Sequence, residues 1–186
     1  MLKSFRGKQV VLYFYPKDDT PGCTKESCEF RDVESQILRA GGAILGVSLD
    51  GRESHQKFIK KFGLPFQLLS DEDAAISKAY GVYKEKNMYG RKYWGIERST
   101  FLIGADRKIL AEWRKVKVDG HAEEVLAAAG RLVAEALHGG GEGVAGVRES
   151  GQQGVAFTLI ERAHPAMAGD ALPDQLGVAG HDPCGF

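Results

Sequence analysis

Cysteine is scarce in this chain of 186 residues, which has only Cys23, Cys28 and Cys184. That scarcity excludes a disulfide-built scaffold, because small folds that depend on crosslinks pack cysteine far more densely. A chain of this length buries enough surface to stand without them. Net charge is absent too: 25 basic against 25 acidic side chains give no overall attraction to nucleic acid or anionic lipid. No run approaches the roughly 20 apolar residues of a membrane span, and the opening residues MLKSFRGKQ lack the apolar core of a signal peptide. The dinucleotide-binding glycine pattern is missing as well, since Gly41-Gly42 precedes a strand instead of joining a strand to a helix. The expectation is a cytoplasmic protein with neither nucleic acid nor membrane as partner. Its thiols are then chemistry or accident in a reducing compartment.

The charge that is present is unevenly spread. Residues 139–186 carry two basic and six acidic groups, 11 of the 24 glycines and three of the six prolines. We expect one domain over residues 1–138, followed by a compositionally different, glycine-rich extension over 139–186.

Within the body, Gln9 to Tyr15 is a short apolar, aromatic and β-branched run, the pattern of a strand buried on both faces. Pro16 ends it, and KDDTPG punctuates strongly. From Cys23 to about Ala40 the apolar residues Phe30, Val33, Ile37 and Leu38 recur at helical spacing. Thr20 is placed to cap that helix and Pro21 to occupy its first turn, while Gly41 and Gly42 stop it. A second buried strand is expected at Ala43–Leu49 and a helix over Asp50–Phe62, with His55, Phe58, Ile59 and Phe62 on one side. Phe66–Leu69 reads as a short strand and Asp71–Tyr80 as a short helix. Thr100–Ile103 and Ile109–Trp113 read as strands around the turn at 104–108, and Ala122–Leu137 as a helix rich in Ala, Leu and Glu. This order makes a small α/β sandwich with helices on both faces of the sheet.

Cys23 is the expected reactive centre. A cysteine attacks as its thiolate, and a free thiol ionises near pH 8.5, so a useful site must favour the anion. Cys23 follows the end of a central strand and sits in the first turn of a helix, where unpaired N–H groups and the helix dipole do that. The Thr20 hydroxyl, three residues earlier, can reach the same small volume. Pro21 and Gly22 let the chain turn tightly with no bulky side chain over the sulfur. A buried small hydrophobe is the structural alternative for any cysteine. A metal site is not expected, because no histidine or cysteine pair lies nearby at ligand spacing.

Cys28 lies five residues further on, which on an intact helix is about 7.5 Å along the axis and about 140° around it. A disulfide needs α carbons roughly 4.4–6.8 Å apart. Cys23 and Cys28 can therefore bridge only if the first turns unwind, and such a protein would change shape on oxidation. Otherwise Cys28 is a half-buried helical residue. Glu26 and Glu29 beside it read as solvent-facing and receive no role. A cation is wanted beside the thiolate, with Lys17, Lys25, Arg91 and Arg98 as candidates. Arg98 stands out because it directly precedes a central strand, and its planar fork can hold a sulfur and an oxygen together.

The run Pro16-Lys17-Asp18-Asp19-Thr20-Pro21-Gly22-Cys23-Thr24-Lys25-Glu26-Ser27-Cys28 resembles the peroxiredoxins, specifically their bacterioferritin comigratory protein, or PrxQ, subgroup. The family pattern Pro-x-x-x-Thr-x-x-Cys falls on Pro16, Thr20 and Cys23. Further similarity runs through 87–103 and Val118-Asp119-Gly120-His121-Ala122, and the resemblance covers about residues 5–138. It implies a thioredoxin-like fold, with a central mixed sheet and helices on both faces, and a thiol peroxidase acting on hydrogen peroxide and organic hydroperoxides. Cys23 would be the peroxidatic cysteine. Thr20 would hydrogen-bond the substrate oxygens, Arg98 would stabilise the thiolate and the developing charge, and Pro16 would shield the sulfenate. Cys28 would resolve the sulfenic acid as an intramolecular disulfide, which thioredoxin or a similar dithiol reduces. The resemblance implies no metal, haem or flavin cofactor, and a monomer.

Family members usually begin about 20 residues earlier with a Gly-Asp-x-Ala-Pro-like segment and a β-hairpin, for which the body has no counterpart. In the tail, Phe157-Thr158-Leu159 and Gly169-Asp170-Ala171-Leu172-Pro173-Asp174 are similar to that segment. The tail is thus either an irregular extension or a piece that packs in place of the hairpin. Cys184, near the chain end, reads as incidental, with a further resolving or intermolecular thiol as the other option. A redox-switch binding protein, using Cys23 and Cys28 without efficient turnover, is the alternative to the peroxidase.

Overall fold

The computed structural model describes residues 5, 7–138, 165–166 and 184. In chain order the elements are β1 (Gln9–Phe14), α1 (Pro21–Arg39), β2 (Gly42–Ser48), α2 (Arg52–Phe62), β3 (Gln67–Ser70), α3 (Ala75–Ala79), β4 (Tyr83–Met88), β5 (Arg91–Ile96), β6 (Ser99–Ile103), β7 (Ile109–Arg114), α4 (His121–His138) and β8 (Pro165–Ala166). Six strands form one sheet in the order β7-β6-β1-β2-β3-β8. β1, β2 and β3 run parallel, while β6, β7 and β8 pair antiparallel to their neighbours. The sheet is mixed, as the resemblance implies.

The two-residue period of the central strands divides the core into two layers. Val11, Tyr13, Tyr15, Ile44, Leu68 and Leu102 point to the face covered by α1, α2 and α4, where they meet Phe30, Ile37, Phe58, Phe62 and Val125. Val10, Leu12, Phe14, Leu45, Val47, Leu69, Phe101 and Ile103 point the other way and pack on Ile76, Tyr80, Val82 and Ile96. Both faces of β1 are buried, which is why its sequence is an unbroken apolar run. Gly46 is required in β2 because a β carbon there would stand 2.8 Å from the Tyr13 ring and 2.6 Å from Leu68. Its absence lets Tyr13 lie across the sheet and bond Ser27 of α1 at 3.0 Å.

The fold differs from the sequence expectations in two places. The hairpin β4–β5 forms a separate two-stranded sheet that the apolar pattern did not reveal, since its strands are largely exposed and polar. It is held by register pairs from Tyr83 with Ile96 to Met88 with Arg91. The turn between them, Tyr89-Gly90, has positive φ at both residues, 52° and 80°, the geometry that matches strand twist in a two-residue loop. Secondly, Thr20 is the residue before α1 but its hydroxyl makes no capping bond; it donates to the Lys17 carbonyl at 3.0 Å. Of the tail, Pro165 and Ala166 pair with Leu69 and Leu68 at the edge of β3. The two tail segments similar to the family's entry hairpin, 157–159 and 169–174, lie outside the described residues. No helix among the described residues is long and apolar enough to cross a membrane.

Candidate active site

Antiparallel pairing of β1 with β6 sets Phe14 opposite Ser99. The chain leaving β1 and the chain entering β6 therefore lie at the same end of the sheet, and the residues just beyond, the 16–23 loop and Arg98, converge there despite a separation of 75 positions in sequence. The Arg98 backbone is fixed on both sides: its carbonyl accepts from the Val116 amide at 3.1 Å, and the Glu97 amide donates to Val82 at 2.8 Å.

Cys23 occupies the third position of α1 and is 2% exposed. Proline at the first position has no N–H to satisfy, and the Gly22 and Cys23 amides belong to the unpaired first turn of a helix. Among the described residues no side chain caps that turn, and no acidic residue lies in it. Arg98 Nη2 stands 3.3 Å from Cys23 Sγ. A β carbon at Gly22 would lie 3.5 Å from the same nitrogen, an ordinary contact, so the approach does not depend on the missing side chain there. Helix start and guanidinium both favour negative charge at the sulfur.

The other arm of Arg98 pairs with Glu26, and here the sequence expectation is corrected. Glu26 is 1% exposed instead of solvent-facing. Three residues beyond Cys23 is one turn of helix, so both side chains lie on the side turned toward Arg98. Burial pushes the Glu26 carboxyl up to about 7 in spite of the arginine, and its second oxygen has no hydrogen-bond partner among the described residues. For Arg98, burial works against the charge, but Glu26 and Cys23 outweigh it and hold the guanidinium more firmly protonated than usual. Lys86, from the hairpin, also borders the site and was missed in the sequence. Its ammonium donates to the Ile96 carbonyl, and burial lowers its pKa first, with the charges of Glu97 and Cys23 opposing.

The loop between β1 and α1 is anchored by a buried polar network. Tyr15 donates to Asp18 Oδ1 at 2.7 Å, Ser54 donates to Oδ2 at 2.7 Å, and His55 Nδ1 lies 2.9 Å from the same oxygen. Burial raises the Asp18 pKa, but the bonds from His55, Ser54 and Tyr15 prevail and set it below the usual carboxylate range. The Asp18 amide is held by Asp50 at 2.8 Å. Asp19 takes a left-handed conformation with φ 54° and is gripped by Lys61 at 2.7 and 2.8 Å. The turn that presents Thr20 and Cys23 is thus fixed from α2, a role the sequence left unassigned to Asp18 and His55. Pro16 is exposed at the start of this turn and Thr20 is half-buried.

The remaining candidate cations are elsewhere occupied or exposed. Lys25 pairs with Asp119 and lies 3.9 Å from Glu29, and Lys17 and Arg91 are exposed. Among the described residues, no cluster of three His, Cys, Asp or Glu side chains is placed to hold a metal.

Cys28, 4% exposed at the start of the third turn of α1, is bonded to Cys184, with α carbons 6.1 Å apart. Cys23 is the free thiol. Cys184 is therefore not incidental, and the disulfide present joins Cys28 to the tail instead of to Cys23. Arg31 Nη1 donates to Cys184 Sγ at 3.0 Å and to the Phe62 carbonyl at 3.2 Å.

Residues 1–112 match the AhpC/TSA family. The chain is 57% identical over 131 residues to a Coxiella burnetii protein bearing a bcp peroxiredoxin name, which covers 70% of this chain and 85% of the relative. It is 50% identical over 125 residues to the peroxiredoxin Bcp of Bacillus subtilis, covering 67% and 80%. Among solved structures, the bacterioferritin comigratory protein of Xanthomonas campestris, studied for its alkyl peroxide reduction in trapped intermediate and ligand complexes, superposes with TM-score 0.68 at 48% identity, over 72% of this chain and 85% of that one.

Proposed function

As this chain belongs to the peroxiredoxins of the AhpC/TSA family, in the bacterioferritin comigratory protein (PrxQ) subgroup, we propose that it is a peroxidase in which Cys23 is the attacking thiolate. The observation that carries this reading is the Arg98 guanidinium 3.3 Å from the Cys23 sulfur at an uncapped helix start. The thiolate attacks one peroxide oxygen and the O–O bond breaks. The other oxygen leaves with a proton as water or an alcohol, and Cys23 becomes a sulfenic acid. Arg98 faces the position where negative charge moves from sulfur to the leaving oxygen, and it needs no reorganisation to do so because Glu26 and the backbone bonds at 97–98 already hold it. The Thr20 hydroxyl, with its proton committed to Lys17, is left to accept a hydrogen bond from the peroxide. Pro16 limits water at the sulfenate.

In the next step the Cys28 thiolate attacks the Cys23 sulfur, hydroxide leaves as water on protonation, and a disulfide forms. Thioredoxin or a similar dithiol then reduces it by exchange. Hydrogen peroxide and organic hydroperoxides are both substrates in this reading, a reducing cytoplasm is the setting, and the protein acts as a monomer. Peroxide consumption with thioredoxin and its reductase tests it. Many equivalents consumed per chain are expected, whereas a halt after a single oxidation would replace the enzyme with a redox switch built on the same cysteines.

A further inference from the structure

Cys184 has no place in the cycle just described, yet it is buried, bonded to Cys28 and approached by a guanidinium. The structure captures a chain oxidised at Cys28–Cys184 in which α1 is unbroken from Pro21 to Arg39 and Cys23 stands free beside Arg98. A Cys23–Cys28 bond is incompatible with that helix, since five residues of rise exceed the span a disulfide accepts. The two oxidised forms therefore differ at the peroxide site: one dismantles it and the other leaves it assembled.

Resting on the peroxidase reading above, we propose that Cys184 is a third redox thiol that takes the disulfide from Cys28 and so returns Cys23 to its site. The Cys184 thiolate attacks Cys28 Sγ in the Cys23–Cys28 disulfide. The bond between those two cysteines breaks, Cys23 leaves as a thiolate, and Cys28–Cys184 forms, with no net oxidation or reduction. Arg31 favours the exchange because its guanidinium, steadied by Phe62 and Asp32, lies 3.0 Å from Cys184 Sγ and stabilises that sulfur as an anion. The direction follows from what is regained. Once Cys28 lets go of Cys23, the first turns of α1 rewind and the contacts of Cys23 and Glu26 with Arg98 re-form. The tail is in position for this role because Pro165–Ala166 already pairs with the edge of β3.

The relay has two consequences. The external dithiol acts on a bond carried by the tail and the third turn of α1, and not on an unwound active site. Cys23 can also react with a second peroxide before any reductant arrives, storing that equivalent as a sulfenic acid because Cys28 is engaged.

The test is a time course of disulfide mapping on the fully reduced full-length protein after one equivalent of hydrogen peroxide, with acid quench and alkylation, in wild type and Cys184→Ser. In wild type, a Cys23–Cys28 linkage is expected to appear first and give way to Cys28–Cys184 with Cys23 alkylated; a second equivalent then leaves Cys23 reactive to dimedone. In Cys184→Ser the Cys23–Cys28 linkage persists. A wild-type course that ends on Cys23–Cys28 with Cys184 alkylated would overturn the relay and leave the peroxidase reading intact. So would a Cys28–Cys184 bond that resists reduction in the folded protein, which would make it a fixed crosslink. If Cys23 is not oxidised in either protein, the peroxidase reading itself falls.

Discussion

The two ends of one stretch of helix treat their cysteines oppositely. Cys23 and Cys28 are five residues apart on α1 and almost equally buried, at 2% and 4% exposed. Burial therefore does not distinguish them; their neighbours do. Cys23 lies in the uncapped first turn, against an arginine delivered by β6 and held by Glu26. Cys28 lies a turn deeper, where backbone amides are already spent within the helix, and its partner is a sulfur from the tail. A helix start offers an anion free donors, and a helix interior offers only side-chain chemistry. The same residue type is thus an attacking group at one position and a bond-forming partner at the other.

The sharpest way to break this contrast is Cys23→Ser, for which peroxide consumption should vanish while Cys28 and Cys184 remain able to form their disulfide. Turnover that survives would move the reactive role to another thiol. Cys28→Ser should preserve one round of Cys23 oxidation at the wild-type rate and lose dithiol-dependent cycling, seen by comparing single-turnover and steady-state peroxide loss. Arg98→Ala should slow Cys23 oxidation by about 100-fold, the scale found when a preorganised donor to developing charge is removed. An unchanged rate and pH profile would remove Arg98 from the site.

The smallest effect concerns Glu26 and is read as stability. Its carboxyl is raised to about 7 by burial in the folded protein, from a usual value of 4.5. Between those values the unfolded chain has released a proton that the folded one keeps, so the wild type loses stability as pH rises through that window. Glu26→Gln cannot show this loss. Its stability relative to wild type, from denaturant unfolding, should climb by on the order of 1–3 kcal/mol between pH 4.5 and 7 and stay level on either side. A flat difference across that window would mean that the buried carboxylate is better compensated than its unpartnered oxygen suggests.

Legibility in the sequence followed burial. β1, β2 and β6 stood out because both their faces are covered, and α2 because His55, Phe58, Ile59 and Phe62 all point inward. The meeting of Cys23 and Arg98 was readable in outline because each flanks a central strand. The hairpin β4–β5 was not, since cross-strand pairs such as Lys92 with Glu85 and the Tyr83 and Trp94 rings, 5.5 Å apart, hold it where burial does not. Its Tyr89-Gly90 turn was the one local signal. Glu26 was missed because a charged helical residue reads as solvated until a cation from 72 positions away is known to cover it; its i,i+3 spacing from Cys23 was the available clue. For Cys184 the sequence offered a resolving thiol only as the second option, because nothing local encodes a partner 156 residues distant.

The central claim, that peroxide reacts at Cys23, is tested most directly by trapping its first product. In Cys28→Ser, one equivalent of hydrogen peroxide followed by dimedone and mass spectrometry should place one adduct per chain on Cys23. Cys23 recovered as an unmodified thiol, with the adduct on Cys184 or absent, would contradict the account.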